Sequence, residues 1–156
     1  MSYYAGKRRS SGVDSTLVVR FIATSFVYLL AGLIIFALNL LGVLNLNRDA
    51  IFVLWLFGSV IMIVFGLSYM FSSGLSRNSA LINTTAGKEY LLLNGGVILF
   101  FAGLSGAVTG QTGKAIAIIG LLAIIVTVTT HLINIVLMAS AKRTINVENQ
   151  KFNDDY

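Results

Sequence analysis

The chain has 156 residues, of which 56% are hydrophobic, and its mean hydropathy is +0.86. It contains no cysteine, which excludes disulfides, thiolate metal sites, iron–sulfur clusters and palmitoylation in this chain. The net charge is +5 and the pI is near 9.8, a balance also found in nucleic-acid-binding proteins. In a chain this apolar, basic residues are better explained as determinants of membrane topology, and we expect no nucleic-acid partner.

Four apolar runs, at about residues 17–44, 50–73, 90–110 and 115–140, make up most of the chain. A helix of roughly 20 residues covers a hydrocarbon core about 30 Å thick, and each run is at least that long. Because lipid offers no hydrogen-bond partners, the backbone of these runs must be helical. The sequence therefore predicts an all-α fold: an integral membrane four-helix bundle over 17–140, between an N-terminal segment 1–16 and a C-terminal tail 141–156.

Lysine and arginine are distributed unevenly between the two ends of these runs. If the N-terminus is cytoplasmic, only Arg48 and Lys114 lie outside. Cytoplasmic loops are enriched in basic residues, so we predict a multi-pass protein of the cell membrane, in contact with its lipids, with both termini cytoplasmic. Short external links at about 45–49 and 111–114 predict two antiparallel hairpins. The predicted cytoplasmic residues are Lys7, Arg8, Arg9, Arg20, Arg77, Lys88, Lys142, Arg143 and Lys151.

Glycines recur at seven-residue intervals along the third run. Small residues at this spacing let a neighbouring helix approach closely, as in left-handed helix crossings. We predict that they form a packing seam, and a glycine-lined groove for a ligand is the alternative. The predicted helix-packing glycines are Gly96, Gly103, Gly106 and Gly110 on the third run, Gly32 on the first and Gly66 on the second.

The fourth run carries the only histidine, His131, in a polar stripe with Thr127, Asn134 and Met138. A polar stripe inside a membrane is expected to face protein. Counted from the cytoplasmic charges at the helical rise, polar residues of all four runs fall in the inner half of the bilayer. We predict one layer whose mutual hydrogen bonds fix helix register; a quinone headgroup pocket and a haem ligand at His131 are alternatives. The layer comprises Tyr28, Tyr69, Asn94, His131 and Asn134.

The sequence offers little material for catalysis. No Asp or Glu falls within the four apolar runs, since Glu89 is assigned to the loop before the third run, and proline is absent. Carriers generally need an intramembrane carboxylate, so a secondary transporter is disfavoured. One histidine without a buried acid does not make a nucleophile–base–acid set, so we predict no catalytic residue, no metal site and no enzyme activity of the isolated chain. A bis-ligated b-haem would need a second ligand from a partner, a symmetric dimer, Met62 or Met138.

Two stretches resemble helices of the haem–copper oxidase catalytic subunit. Residues 20–24 (RFIAT) lead into 28–32 (YLLAG), similar to the opening of one family helix, and 55–58 (WLFG) run to 65–69 (FGLSY), similar to another. The second stretch holds no histidine where a haem ligand is expected, and the copper-site histidines are absent. The resemblance implies a small, ligand-poor relative that accompanies a respiratory complex rather than an oxidase.

These observations predict a non-catalytic accessory subunit of a larger membrane complex, respiratory or otherwise redox-active, with other membrane subunits as partners and no cofactor of its own. One alternative is a small-ligand protein with a quinone or b-haem site in the inner-leaflet layer. Another is a homo-oligomeric pore or a component of a membrane shell.

The charge distribution can be tested directly. A reporter fused after Tyr156 should be cytoplasmic, and one inserted at 46–48 should be external, because only two of the basic residues flank the external links. Protease protection and reporter activity in intact cells measure this. The opposite pattern at both sites would contradict the charge argument.

Overall fold

The computed structural model describes the backbone of residues 15–72 and 79–154, and within these residues it has four helices, joined by non-helical connections, and no strand. Helix α1 is Ser15–Leu40. Helix α2 is continuous through three segments, the α-helical Arg48–Val53, the π-helical Leu54–Ile61 and the α-helical Met62–Ser72. Helix α3 is Ser79–Leu104, and helix α4 is Gly110–Asp154.

Three of these helices are long and apolar enough to cross a membrane. They are α1, the Arg48–Phe71 part of α2, and the Gly110–Leu137 part of α4, with hydropathies of 2.4, 2.6 and 2.5. Helix α3 is not among them; it carries Lys88, Glu89 and Asn94, which lower its hydropathy. Of the four predicted membrane-spanning runs, three are therefore supported by length and hydropathy, and the chain is a helical protein of membrane character.

The helix ends differ from the ends of the apolar runs. Helix α3 begins at Ser79 rather than near residue 90, and it ends at Leu104. Helix α4 continues to Asp154, so residues 141–154 of the expected tail are helical. No glycine or proline follows Gly120, and nothing in the sequence therefore breaks α4 where its apolar part ends. The predicted N-terminal segment up to residue 14, and residues 73–78 between α2 and α3, lie outside the described residues.

Helices α3 and α4 pack through small residues. A Cβ added at Gly103 would collide with the backbone of Ala117, and one at Gly96 would lie 3.0 Å from the carbonyl oxygen of Gly120. A Cβ added at Gly120 would likewise collide with the backbone of Phe100. The two backbones touch at these positions, as expected for helices that associate by close packing.

Gly106 and Gly110 do not belong to this seam. Helix α3 has already ended: Gly106 lies in the connection to α4 and Gly110 is the first residue of α4, with φ angles of +84° and +73°. A Cβ added at either would meet no atom within 4 Å. The placement of these two glycines on a helix-packing face is wrong, because their role is to supply the left-handed conformations of the turn.

Helices α1 and α2 pack in the same manner. A side chain at Gly32 would collide with the indole of Trp55, and one at Gly66 would meet Phe21 at 3.2 Å. Within the π-helical segment, Gly58 receives the ring of Tyr28. An i→i+5 segment rotates the residues after it relative to those before it, so it sets which α2 side chains face α1 above and below Gly58.

The seam between α3 and α4 can be tested by substitution. Gly103→Leu should destabilise the protein by about 3 kcal/mol or more, because backbone rather than a flexible side chain occupies the space. Ile118→Leu, at a neighbouring position that is 58% exposed, should change stability little. Unfolding in mixed SDS micelles, followed by circular dichroism, gives both values. Equal tolerance at the two positions would show that Gly103 does not face α4.

Candidate functional site

Glu89 is the centre of the polar site, although the sequence placed it in a loop. It lies about three turns into α3 and is only 3% exposed. Because α3 begins at Ser79, the assignment of Glu89 to a loop is wrong. The expectation that no carboxylate lies within the packed helices is wrong for the same reason. A buried carboxylate is very costly unless it is hydrogen-bonded, so its partners identify what holds the helices together.

Three donors from two other helices surround the Glu89 carboxylate. The Tyr69 hydroxyl donates to Oε2 at 2.5 Å, and the Asn134 amide donates to Oε1 at 2.6 Å. Nδ1 of His131 lies 2.9 Å from Oε2. Tyr69 belongs to α2 while His131 and Asn134 belong to α4, so this one carboxylate ties three helices together.

Hydrogen bonds and ring contacts surround the His131 imidazole. Its second ring nitrogen, Nε2, lies 2.6 Å from the Ser68 hydroxyl. The Phe65 ring stacks on the imidazole, with centroids 3.7 Å apart and planes 11° apart, and the Tyr69 ring meets it edge-on at 4.9 Å. Both nitrogens and one face of the imidazole are therefore occupied, and the residue is 3% exposed.

The geometry fits one arrangement of protons. A carboxylate only accepts, so with Glu89 as a carboxylate Nδ1 of His131 carries a proton and donates to Oε2. The Nε2 of a neutral imidazole is then an acceptor facing Ser68. The Ser68 hydroxyl has two acceptors within reach, Nε2 at 2.6 Å and the carbonyl oxygen of Phe65 at 2.9 Å. Rotation about one bond therefore moves its proton towards or away from the imidazole.

A second cluster joins α1 to α3. The Tyr28 hydroxyl donates to Oδ1 of Asn94 at 2.9 Å, and the Asn94 amide donates to the carbonyl oxygen of Tyr90 at 2.8 Å. The Tyr90 hydroxyl lies 2.7 Å from Thr24 Oγ1. The ring of Phe21, which is fully buried, lies between the clusters and contacts the rings of Tyr90 at 5.2 Å and Tyr69 at 5.9 Å.

The five residues of the expected layer thus fall into two groups. Tyr69, His131 and Asn134 meet at Glu89, while Tyr28 and Asn94 bond to each other. Of the remaining stripe residues, Thr127 is buried and donates to the carbonyl oxygen of Ala123 at 2.7 Å. The Met138 side chain lies outside the described residues, and Met62 is fully buried in the core.

Four residues of the two clusters are not among the site residues predicted from the sequence: Glu89, Ser68, Tyr90 and Thr24. For Glu89 a usable pattern was present: Gly103, Gly96 and Glu89 are spaced by seven, and so are their partners Ala117, Ile124 and His131 on α4. Continuing the glycine repeat by one heptad towards the N-terminus places Glu89 on the face towards α4. Ser68 has no comparable pattern, because its position depends on the π-helical segment that precedes it.

The arrangement constrains which ligands His131 can take. A haem ligand needs a free imidazole nitrogen, and here that would require breaking the bond to Ser68 or the bond to Glu89. A quinone carbonyl would likewise have to displace one of the present partners. Among the described residues there is no group of three or more His, Cys, Asp or Glu side chains that could hold a metal ion.

No protein-family model matches the chain, and comparisons with curated proteins and with solved structures give no match. The resemblance to haem–copper oxidase helices therefore stays a prediction from the two stretches quoted above. Function has to be argued from the site itself.

The role of Glu89 can be measured through stability. Glu89→Leu leaves the Tyr69 hydroxyl, the His131 Nδ1–H and the Asn134 amide without their acceptor, and each buried orphan costs about 1–3 kcal/mol. We therefore expect a loss of about 3 kcal/mol or more in SDS unfolding. Asn94→Leu, in the second cluster, removes fewer contacts and should cost about 1 kcal/mol. A smaller loss for Glu89→Leu than for Asn94→Leu would contradict the central place of Glu89.

Proposed function

We propose that the chain is a multi-pass accessory subunit of a larger membrane complex, and that its polar network serves the assembly of the helices. The observation that carries this proposal is the Glu89 site, where the carboxylate, His131, Tyr69 and Asn134 are bonded to one another. Because the donors and acceptors of this network are paired with one another across helices, they fix the register of those helices. In a bilayer each such bond contributes roughly 0.6 kcal/mol, so several are needed to specify one arrangement.

The outer surface supports the same proposal. Large apolar side chains are exposed on every helix, for example Val27 at 63%, Phe71 at 71%, Leu91 at 71% and Leu137 at 62%. Such a surface requires lipid or other apolar membrane subunits around it. The described connections, 41–47 and 105–109, are short and leave little chain for a soluble domain between those helices.

The proposed orientation places both termini in the cytoplasm. Its support is that Arg20 is exposed near the start of α1 and Lys88 is exposed in the N-terminal half of α3, on the side assigned to the cytoplasm. Arg48 and Lys114 are exposed at the starts of α2 and α4, assigned to the outside. This arrangement makes α1–α2 and α3–α4 two antiparallel hairpins in the cell membrane. The resemblance to haem–copper oxidase helices is the support for a respiratory or redox partner complex.

Co-purification tests this proposal. The tagged chain, extracted from its native membrane in a mild detergent, should run as a stable complex with other membrane subunits in fixed ratio, and redox cofactors of those subunits should be visible by absorption. The Gly103→Leu chain serves as the control, because it should lose the complex together with the bundle. A wild-type chain that runs alone, monodisperse and folded, would contradict the proposal.

The two roles considered for His131 predict different outcomes for its variants. In an assembly role, His131→Gln keeps a donor and an acceptor and should preserve the complex and its activity, whereas His131→Leu should weaken assembly by about 1 kcal/mol. Size-exclusion chromatography and the absorption spectrum of the same sample report both. Loss of a chromophore in His131→Gln, with the complex still assembled, would instead identify a haem ligand.

A further inference from the structure

The Glu89 site contains a hydrogen-bonded chain that the assembly role does not require. Nδ1 of His131 bonds to Glu89, and Nε2 of His131 faces the Ser68 hydroxyl at 2.6 Å. We propose that Ser68 is an activated nucleophile that takes the acyl group of a lipid-soluble carboxylic ester, with His131 as its general base and Glu89 as the residue that positions the base.

The hydrogen bonds from hydroxyl to imidazole to carboxylate are those that a serine nucleophile needs. A serine hydroxyl becomes nucleophilic when an imidazole accepts its proton, and the imidazole is held in the correct tautomer by a carboxylate on its other nitrogen. Here a hydroxyl, an imidazole and a carboxylate come from α2, α4 and α3, with heavy-atom distances of 2.6 Å and 2.9 Å. Glu89 is the buried acid that such a set requires and that was not expected from the sequence.

The three hydrogen-bonded residues differ in burial. Glu89 is 3% and His131 is 3% exposed, while Ser68 is only partly buried. The exposed side chains beside it on α2 are apolar, with Val64 at 53% and Phe71 at 71%. Ser68 is thus the least buried residue of the three, and apolar side chains flank it on the outer surface of α2. These surroundings favour a substrate dissolved in lipid over a soluble peptide or sugar.

The depth of Ser68 specifies the reacting group. Ser68 lies eight residues beyond the middle of α2 near residue 60, or about 12 Å along the axis at the helical rise. Half of the hydrocarbon core is about 15 Å thick, so in the orientation proposed above Ser68 lies just inside the inner headgroup boundary. The ester carbonyls of glycerolipids lie at that boundary, and they are carboxylic esters with a lipid-soluble acyl chain.

Acyl transfer to Ser68 needs no proton donor or acceptor beyond His131 and the alcohol that leaves. The Ser68 hydroxyl oxygen forms a bond to the ester carbonyl carbon, and its proton passes to Nε2 of His131. The imidazolium is stabilised by Glu89 through Nδ1–H. The tetrahedral adduct expels the alcohol, which takes the proton from Nε2, and leaves an acyl ester on Ser68. Attack by water or another alcohol, activated by the same base, releases the acyl group and restores the hydroxyl.

This inference goes beyond the proposed function and can be separated from it. Assembly depends on the bonds of Glu89 to Tyr69, His131 and Asn134, none of which involves Ser68. Ser68→Ala leaves one buried atom, Nε2 of His131, without its partner, so it should destabilise the bundle less than Glu89→Leu does, keep the complex assembled and remove the reactivity.

The test uses the full-length protein in mild detergent with a long-chain alkyl fluorophosphonate as the probe. We expect covalent phosphonylation, mapped by mass spectrometry to Ser68, absent in Ser68→Ala and slowed about 100-fold or more in His131→Gln. Ser25 is the internal control: it donates to the carbonyl oxygen of Ile22 at 2.6 Å, like the Ser68–Phe65 bond. The single histidine of the chain lies against Ser68, so Ser25→Ala should leave labelling unchanged.

A second measurement addresses the substrate class. Mixed micelles containing a glycerophospholipid with an alkyne-tagged acyl chain should transfer the tag to Ser68 or release it as free acid, and Ser68→Ala should do neither. Folded wild-type protein that resists the probe, while a soluble serine hydrolase in the same detergent is labelled, would overturn the proposal. So would labelling that is unchanged in folded His131→Gln. Phosphonylation without acyl transfer or release would overturn the assignment to lipid esters.

Discussion

The hydrogen bonds of the Glu89 carboxylate are the interaction on which the rest of this structure depends. A carboxylate removed from water is strongly destabilising unless donors surround it, and here donors come from Tyr69 on α2 and from His131 and Asn134 on α4. Removing one partner would leave the others buried without a bond. The site therefore does more than contribute attraction: it penalises any arrangement in which α2, α3 and α4 are displaced relative to one another.

The glycine contacts explain how this site can form at all. Close approach at Gly96 and Gly103 fixes the register of α3 against α4, and the same heptad spacing brings Glu89 opposite His131. Apolar packing in lipid is weakly specific, because lipid tails are as apolar as the side chains. The small residues let the two helices approach closely. The hydrogen bonds of the Glu89 carboxylate then favour one of the registers in which close approach is possible.

Periodicity in the sequence was sufficient to predict an all-helical fold, the Gly96 and Gly103 contacts, and the convergence of Tyr69, His131 and Asn134. It was insufficient for Glu89, because hydropathy marks where an apolar run begins and not where a helix begins. Helix α3 extends into the polar sequence that precedes the run, and one heptad beyond Gly96 lies the residue that organises the site. The packing prediction for Gly106 and Gly110 is wrong for the converse reason. The glycine repeat continues in the sequence after helix α3 has ended at Leu104.

A distance between Glu89 and His131 tests this account most directly. The chain has one histidine and two glutamates, so labelling histidine with ¹⁵N and glutamate with ¹³C in a Glu148→Gln background leaves a single possible pair. Solid-state NMR on the protein in lipid bilayers should find the Glu89 carboxyl carbon within about 4 Å of the His131 Nδ1, since that nitrogen lies 2.9 Å from Oε2. Folded protein without this dipolar contact would show that Glu89 does not bond to His131 and would contradict the central claim.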